Sequence, residues 1–161
     1  MASKAVIAFR LPQPPFSPYT HSMDNERIRS FCLGLPHVVE AIKWKHYLAY
    51  WIGARELGGK MFAMTDLDGA RTGVFSFHCG AERYHELLEI EGICPAPYMF
   101  NHAWVALARW DALRPREIEE EAARAHALIY EKLPAHTKAA LALPEKKRAM
   151  LIRERKKLLV P

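Results

Sequence analysis

No run in this 161-residue chain approaches the roughly 18 consecutive apolar residues that cross a bilayer. The nearest candidate, Ala5-Val6-Ile7-Ala8-Phe9, is cut by Arg10 and by Pro12, Pro14, Pro15 and Pro18. That is also short of the apolar core of about 7–15 residues in an export signal, so neither membrane insertion nor secretion is expected. Cysteine is scarce: Cys32, Cys79 and Cys94 are far apart, odd in number and without a C-x-x-C pair. A disulfide framework and a zinc knuckle are thereby disfavoured, and a reducing cytoplasm fits. Each thiol is expected to be a small buried apolar group. Of eight histidines, none forms an H-x-x-x-H or H-x-H pair, so no helical metal site is expected. The glycines form no G-x-S-x-G elbow, P-loop or G-x-G-x-x-G. Asp66-Leu67-Asp68-Gly69 reads as turn chemistry rather than a carboxylate pair. The expectation is a non-enzymatic protein with no catalytic residue, cofactor or metal.

What the chain does have is charge in one place. From Pro144 to Pro161, Lys146, Lys147, Arg148, Arg153, Arg155, Lys156 and Lys157 face only Glu145 and Glu154, a balance of +5. The whole chain is also +5, so Met1–Leu143 sums to zero. Concentrated positive charge attracts polyanions better than the same charge dispersed, although a Lys/Arg-rich final helix also serves as an ordinary solvated face.

Three segments follow: an extension over residues 1–22, an α+β domain over 23–143 and a basic terminal helix over 144–161. In the first, prolines favour extended backbone. Asp24 is placed to N-cap a helix whose Ile28, Phe31, Cys32 and Leu35 share one face, with Pro36 beyond it. From Lys43 to His78 three β-prone runs, Trp44–Ile52, Met61–Met64 and Thr72–Phe77, are joined by glycine-containing turns as an antiparallel meander. Gly80 begins a short helix presenting Ala81, Tyr84 and Leu88. Pro95 and Pro97 are expected to break regular structure before a strand at Trp104–Ala108. Pro115 suits the first turn of a long helix with early glutamates and a stripe of Ile118, Ala122, Ala125 and Ile129. The fold class expected is an antiparallel sheet with helices packed on one face.

Tyr98-Met99-Phe100-Asn101-His102-Ala103-Trp104 sets aromatic rings beside an amide and an imidazole, groups that stack on bases and bond to phosphates or base edges. The same residues fit another role, with Phe100 and Trp104 as core anchors and Asn101 and His102 shaping the loop.

Read in order, Phe31-Cys32-Leu33-x-Leu35-Pro36, Gly58-Gly59-Lys60-Met61-Phe62-Ala63, Asn101-His102-x-Trp104 and Tyr130-x-Lys132-Leu133-Pro134 resemble landmarks of the YjbR/MmcQ-like family. The resemblance covers residues 24 to about 143. It implies a CyaY-like α/β domain and a DNA-binding label derived from a proposed double-wing arrangement of hairpins. By position it points to Lys60, Asn101, His102 and Trp104 as the functional surface. The chain departs from the family pattern in its N-terminal extension and in Ala41-Ile42-Lys43-Trp44, which replaces an aromatic-Pro-Phe-Gly-like turn. It also lacks the lysine expected between Asn101 and His102. An iron role like that of frataxin is not implied, since Asp24 and Glu26 are offset by Arg27 and Arg29.

The favoured reading is backbone-dominated DNA binding by Lys60, Asn101, His102, Trp104, Lys146, Lys147, Arg153, Lys156 and Lys157, with the basic helix and the 101–104 loop on one surface. The alternative is a protein-interaction or small-ligand module built on the Tyr98–Trp104 aromatics. In that case Leu151, Ile152, Leu158 and Leu159 would make the terminal helix a docking element.

Overall fold

Asp24 N-caps the first helix: its Oδ1 accepts from the Arg27 backbone N–H at 2.8 Å, and α1 runs Asn25–Leu33. The structure, a computed structural model, describes residues 22–68, 73–97, 99 and 103–159. Residues 1–21 of the expected extension, Thr72, Tyr98, Phe100, Asn101 and His102 lie outside the described residues. Met23 is already buried in the core.

After α1 come β1 (Val38–Lys43), β2 (Tyr47–Ile52), a 3-10 turn (Arg55–Leu57), β3 (Lys60–Asp66) and β4 (Phe75–His78). Then follow α2 (Gly80–Leu88), β5 (Ile93–Pro95), β6 (Trp104–Leu107) and a second 3-10 turn (Trp110–Ala112). Three helices end the chain, α3 (Pro115–Lys132), α4 (Ala135–Leu141) and α5 (Glu145–Leu159). The six strands form one sheet in the order β1-β2-β3-β4-β6-β5, with every pairing antiparallel. The molecule is α+β, as the strand and helix patterns imply.

Two strands depart from the sequence expectation. The aromatic run expected to begin at Trp44 starts as a strand at Tyr47, and a separate strand, β1, precedes it. Between them Trp44 and Lys45 take left-handed backbone, φ 50° and 68°, a turn made without the glycine or asparagine that normally signals one. At the other end, Pro95 does not break the chain but closes β5. That strand is the outermost of the sheet, where a missing N–H costs no ladder bond.

The core lies between one sheet face and the helices. Tyr50, Ile52, Phe62, Phe75, Phe77, Val105 and Leu107 meet Ile28 and Cys32 of α1, Leu87 of α2 and Ile118, Ala122, Ala125 and Ile129 of α3. A register shift opposite Tyr50/Trp51 leaves Phe62 as an extra residue in β3, and its ring sits edge-on to His126 of α3 at 5.4 Å. His126 Nε2 donates to the Pro36 carbonyl at 2.8 Å, tying α3 to the turn after α1. The helix start at Pro115 is closed by Glu117, whose carboxylate accepts from the Arg114 N–H at 2.8 Å.

The Gly58-Gly59 pair has a steric cause. Gly58 has left-handed backbone (φ 83°) and lies under Thr137 of α4, while a Cβ on Gly59 would collide with the Gly53 carbonyl. The pair lets α4 and the β2–β3 connection close together, and it launches Lys60 at the first position of β3.

Candidate functional site

The terminal helix α5 is fixed by two of its own cations. Arg148 Nη1 donates to the Leu141 carbonyl at 2.8 Å and Arg155 Nη1 to the Glu56 carbonyl at 2.9 Å. Leu151 and Ile152 are half-buried against the core beside them. With 3.6 residues per turn these four side chains fall on one face. The remaining cations, Lys146, Lys147, Arg153, Lys156 and Lys157, are all exposed. Lys146, Arg153 and Lys157, spaced by seven and four residues, form a stripe on the opposite face about 16 Å long.

None of these five cations is neutralised by an ion pair among the described residues. The early glutamates of α3 are engaged elsewhere. Glu119 meets Arg27 of α1 at 2.8 Å, and Glu121 meets Arg83 of α2 and Arg124 of its own helix. Glu120 pairs with Arg116 at 3.4 Å. Glu119, Glu120 and Glu121 are therefore committed away from the stripe.

Lys156 opens onto a cleft of about 650 Å³ that it shares with β1, β2 and the first 3-10 turn. Lys43, Trp51 and Arg55 stand in its walls with Val39, Ala41 and Ile42. Glu40, also in the wall, is held by Arg29 through two bonds of 2.8 and 2.6 Å. The Arg29 hydrogen bond, with its charge, keeps the Glu40 carboxyl below the usual glutamate range. Lys43 Nζ lies 4.3 Å from the Trp44 ring centre and 5.5 Å from that of Trp51, and Trp44 is 53% exposed at the β1–β2 tip. Lys43, Trp44, Trp51 and Arg55 were not singled out from sequence. The signal was available in Lys43-Trp44-Lys45, but without a turn residue it read as the start of a strand.

Lys60 and Trp104 line a different cleft, of about 560 Å³, with Met61, His78, Ala81, Met99, Ala103, Ile129 and Lys132. It shares no lining residue with the first. Trp104 is only 5% exposed and packs with Ala96 and Ala106 in a second small cluster, so its indole is a floor rather than an open stacking face. Ala103 has left-handed backbone (φ 52°), and its carbonyl accepts from the Cys79 N–H at 2.9 Å. Asn101 and His102, which were expected to act beside Trp104, lie outside the described residues. The structure thus brings Lys60 and Trp104 together, and sets Lys156 at another cleft.

Cys32 and Cys79 are buried as expected, whereas Cys94, on the outermost strand, is only half-buried. Burial holds Cys32 up to about 12 and Cys79 up to about 11, far from the thiolate that chemistry needs. Among the described residues, no cluster of three or more His, Cys, Asp or Glu side chains could hold a metal ion, and no helix is long and apolar enough to cross a membrane.

The YjbR family pattern matches residues 33–128, more than half the chain, from the end of α1 to deep within α3. The chain belongs to the YjbR family. A crystal structure of Deinococcus radiodurans protein DR2400, described as carrying a DUF419 domain, is similar with a TM-score of 0.61 at 24% identity. That likeness covers 73% of this chain and 87% of the other and speaks for the fold alone. No curated protein matches the chain. The YjbR match ends before α4 and α5, so the cationic stripe lies outside the family region, whereas Lys60 and Trp104 lie within it.

Proposed function

We propose that this YjbR-family protein is a non-catalytic nucleic-acid-binding module of a reducing compartment that grips the phosphate backbone through α5. The observation that carries the reading is the division of labour on that helix. Arg148 and Arg155 are used on backbone carbonyls, and five further cations are left exposed without ion-pair partners among the described residues. The adjoining cleft adds Lys43 and Arg55, with Trp44 and Trp51 as aromatic neighbours for a base that leaves the stack. Contacts of this kind position a polyanion without reading its sequence.

Fluorescence anisotropy with a labelled duplex across a salt series tests it. If the five exposed cations each meet one phosphate, log affinity falls against log salt with a slope of about −4.5. The double variant K156E/K157E should abolish binding at moderate salt while leaving the circular dichroism spectrum unchanged. Failure of the native chain to bind duplex or single strand at low salt overturns the reading.

A further inference from the structure

We infer that the cleft between the start of β3, the end of β4 and the end of α3 is a separate site for a small organic phosphate. Three nitrogen-bearing side chains converge on it from three elements: Lys60 of β3, His78 of β4 and Lys132 of α3. Lys132 Nζ stands 3.4 Å from His78 Nε2, and the edge of the His78 ring packs on Trp104 at 6.0 Å. Among the described residues, no carboxylate lines the cleft and neither lysine has an ion-pair partner. Lys60 and Lys132 both line this cavity of about 560 Å³, which has no carboxylate among its described lining residues, so their like charges repel each other there. A dianion between them removes that repulsion and accepts from both.

The remainder of the wall sets the shape of the ligand. Met61, Ala81, Ile129 and the buried indole of Trp104 are apolar, so the ligand needs a small apolar body behind its anionic head. Because Trp104 is buried, the cleft offers no aromatic face from this residue on which a nucleobase could stack, which separates the site from the nucleic-acid surface on α5. A phosphate monoester meets these demands better than a carboxylate, since it carries more charge and more acceptor atoms for two lysines. The first turn of α2, in which Ala81 lies, adds favourable backbone polarity at the wall but is not what defines the site.

The test is isothermal titration of the full chain with phenyl phosphate, benzoate and inorganic phosphate, followed by NMR of the Trp104 indole and His78 imidazole. Phenyl phosphate should bind more tightly than either of the other two and shift both ring signals. K132A and K60A should each weaken it about tenfold, the loss expected for a charged hydrogen bond. K157E on α5 should leave phenyl phosphate affinity unchanged, and K132A should leave duplex binding unchanged. The inference is overturned if no probe binds at millimolar concentration, or if benzoate binds as well as phenyl phosphate. It is equally overturned if K157E weakens the probes as much as K132A does, since that would mark screening by net charge. Because each variant is read against a ligand of the other cleft, failure here is distinguishable from failure of the nucleic-acid reading.

Discussion

Each thiol in this chain has a different exposure, and exposure decides its chemistry. Cys32 is fully buried between α1 and the sheet, and Cys79 is buried with its Sγ donating to the Ala103 carbonyl at 3.0 Å. Cys94, on the outermost strand β5, is only half-buried. A thiol-specific disulfide reagent at neutral pH should therefore label one cysteine of the native chain quickly, at position 94. The other two should react only after unfolding in urea; peptide mapping of the labelled protein checks this, and rapid labelling of Cys32 would contradict the burial described. Composition indicates that the thiols are not paired, but not which one reaches solvent, because exposure of Cys94 depends on its strand being last in the sheet. The same limit applies to Trp104. Its aromatic neighbours in sequence suggest either a stacking surface or a core anchor, and only its contacts with Ala96 and Ala106 decide that it is packed.

At the level of elements, α1 is tied to the sheet edge by the bidentate Arg29–Glu40 pair. Since Arg29 lowers the Glu40 pKa in the folded chain, the pair stabilises fully above the ordinary glutamate range. Its contribution is lost only as pH falls through that lowered value. Urea midpoints measured from neutral to acid pH should show this loss in the native chain and a flatter acid limb in E40Q. Identical acid limbs would mean the pair contributes nothing. The helices were legible because their signals are local: Asp24 as a cap, Pro115 at a first turn and the 118–122–125–129 stripe all lie within one element. The edge strands were not, because their identity depends on partners. Val38–Lys43 becomes a strand by pairing with β2, and Ile93–Pro95 by pairing with β6. The cationic tail was legible as charge, but not the use of Arg148 and Arg155 as anchors, since their acceptors lie in α4 and at Glu56.

Across the whole molecule, stability should be graded from the centre of the sheet outwards. β3 and β4 are flanked by strands on both sides and covered by α3, whereas α5 rests on two half-buried apolar side chains and two arginine contacts. Native-state hydrogen exchange should give the greatest protection in β3 and β4 and the least among the helices in α5. Equal protection in α5 and α3 would contradict that ordering. Lys60, at the first position of β3, and Trp104, on β6, are carried by the sheet, whereas Lys156 is carried by the terminal helix. Which cleft each of them lines was invisible in a linear reading.

The two margins of the sheet are chemically unequal. On one side, β5 is three residues long and finishes in a proline, which supplies no amide hydrogen to an incoming chain. On the other, the six residues of β1 carry Val39 and Ile42 in solvent, 41% and 60% exposed, along a full-length strand edge. Among the described residues, the Val38–Lys43 rim is therefore the edge open to intermolecular strand addition, and a proline at Ile42, whose N–H faces away from β2, would block it without removing a β1–β2 bond.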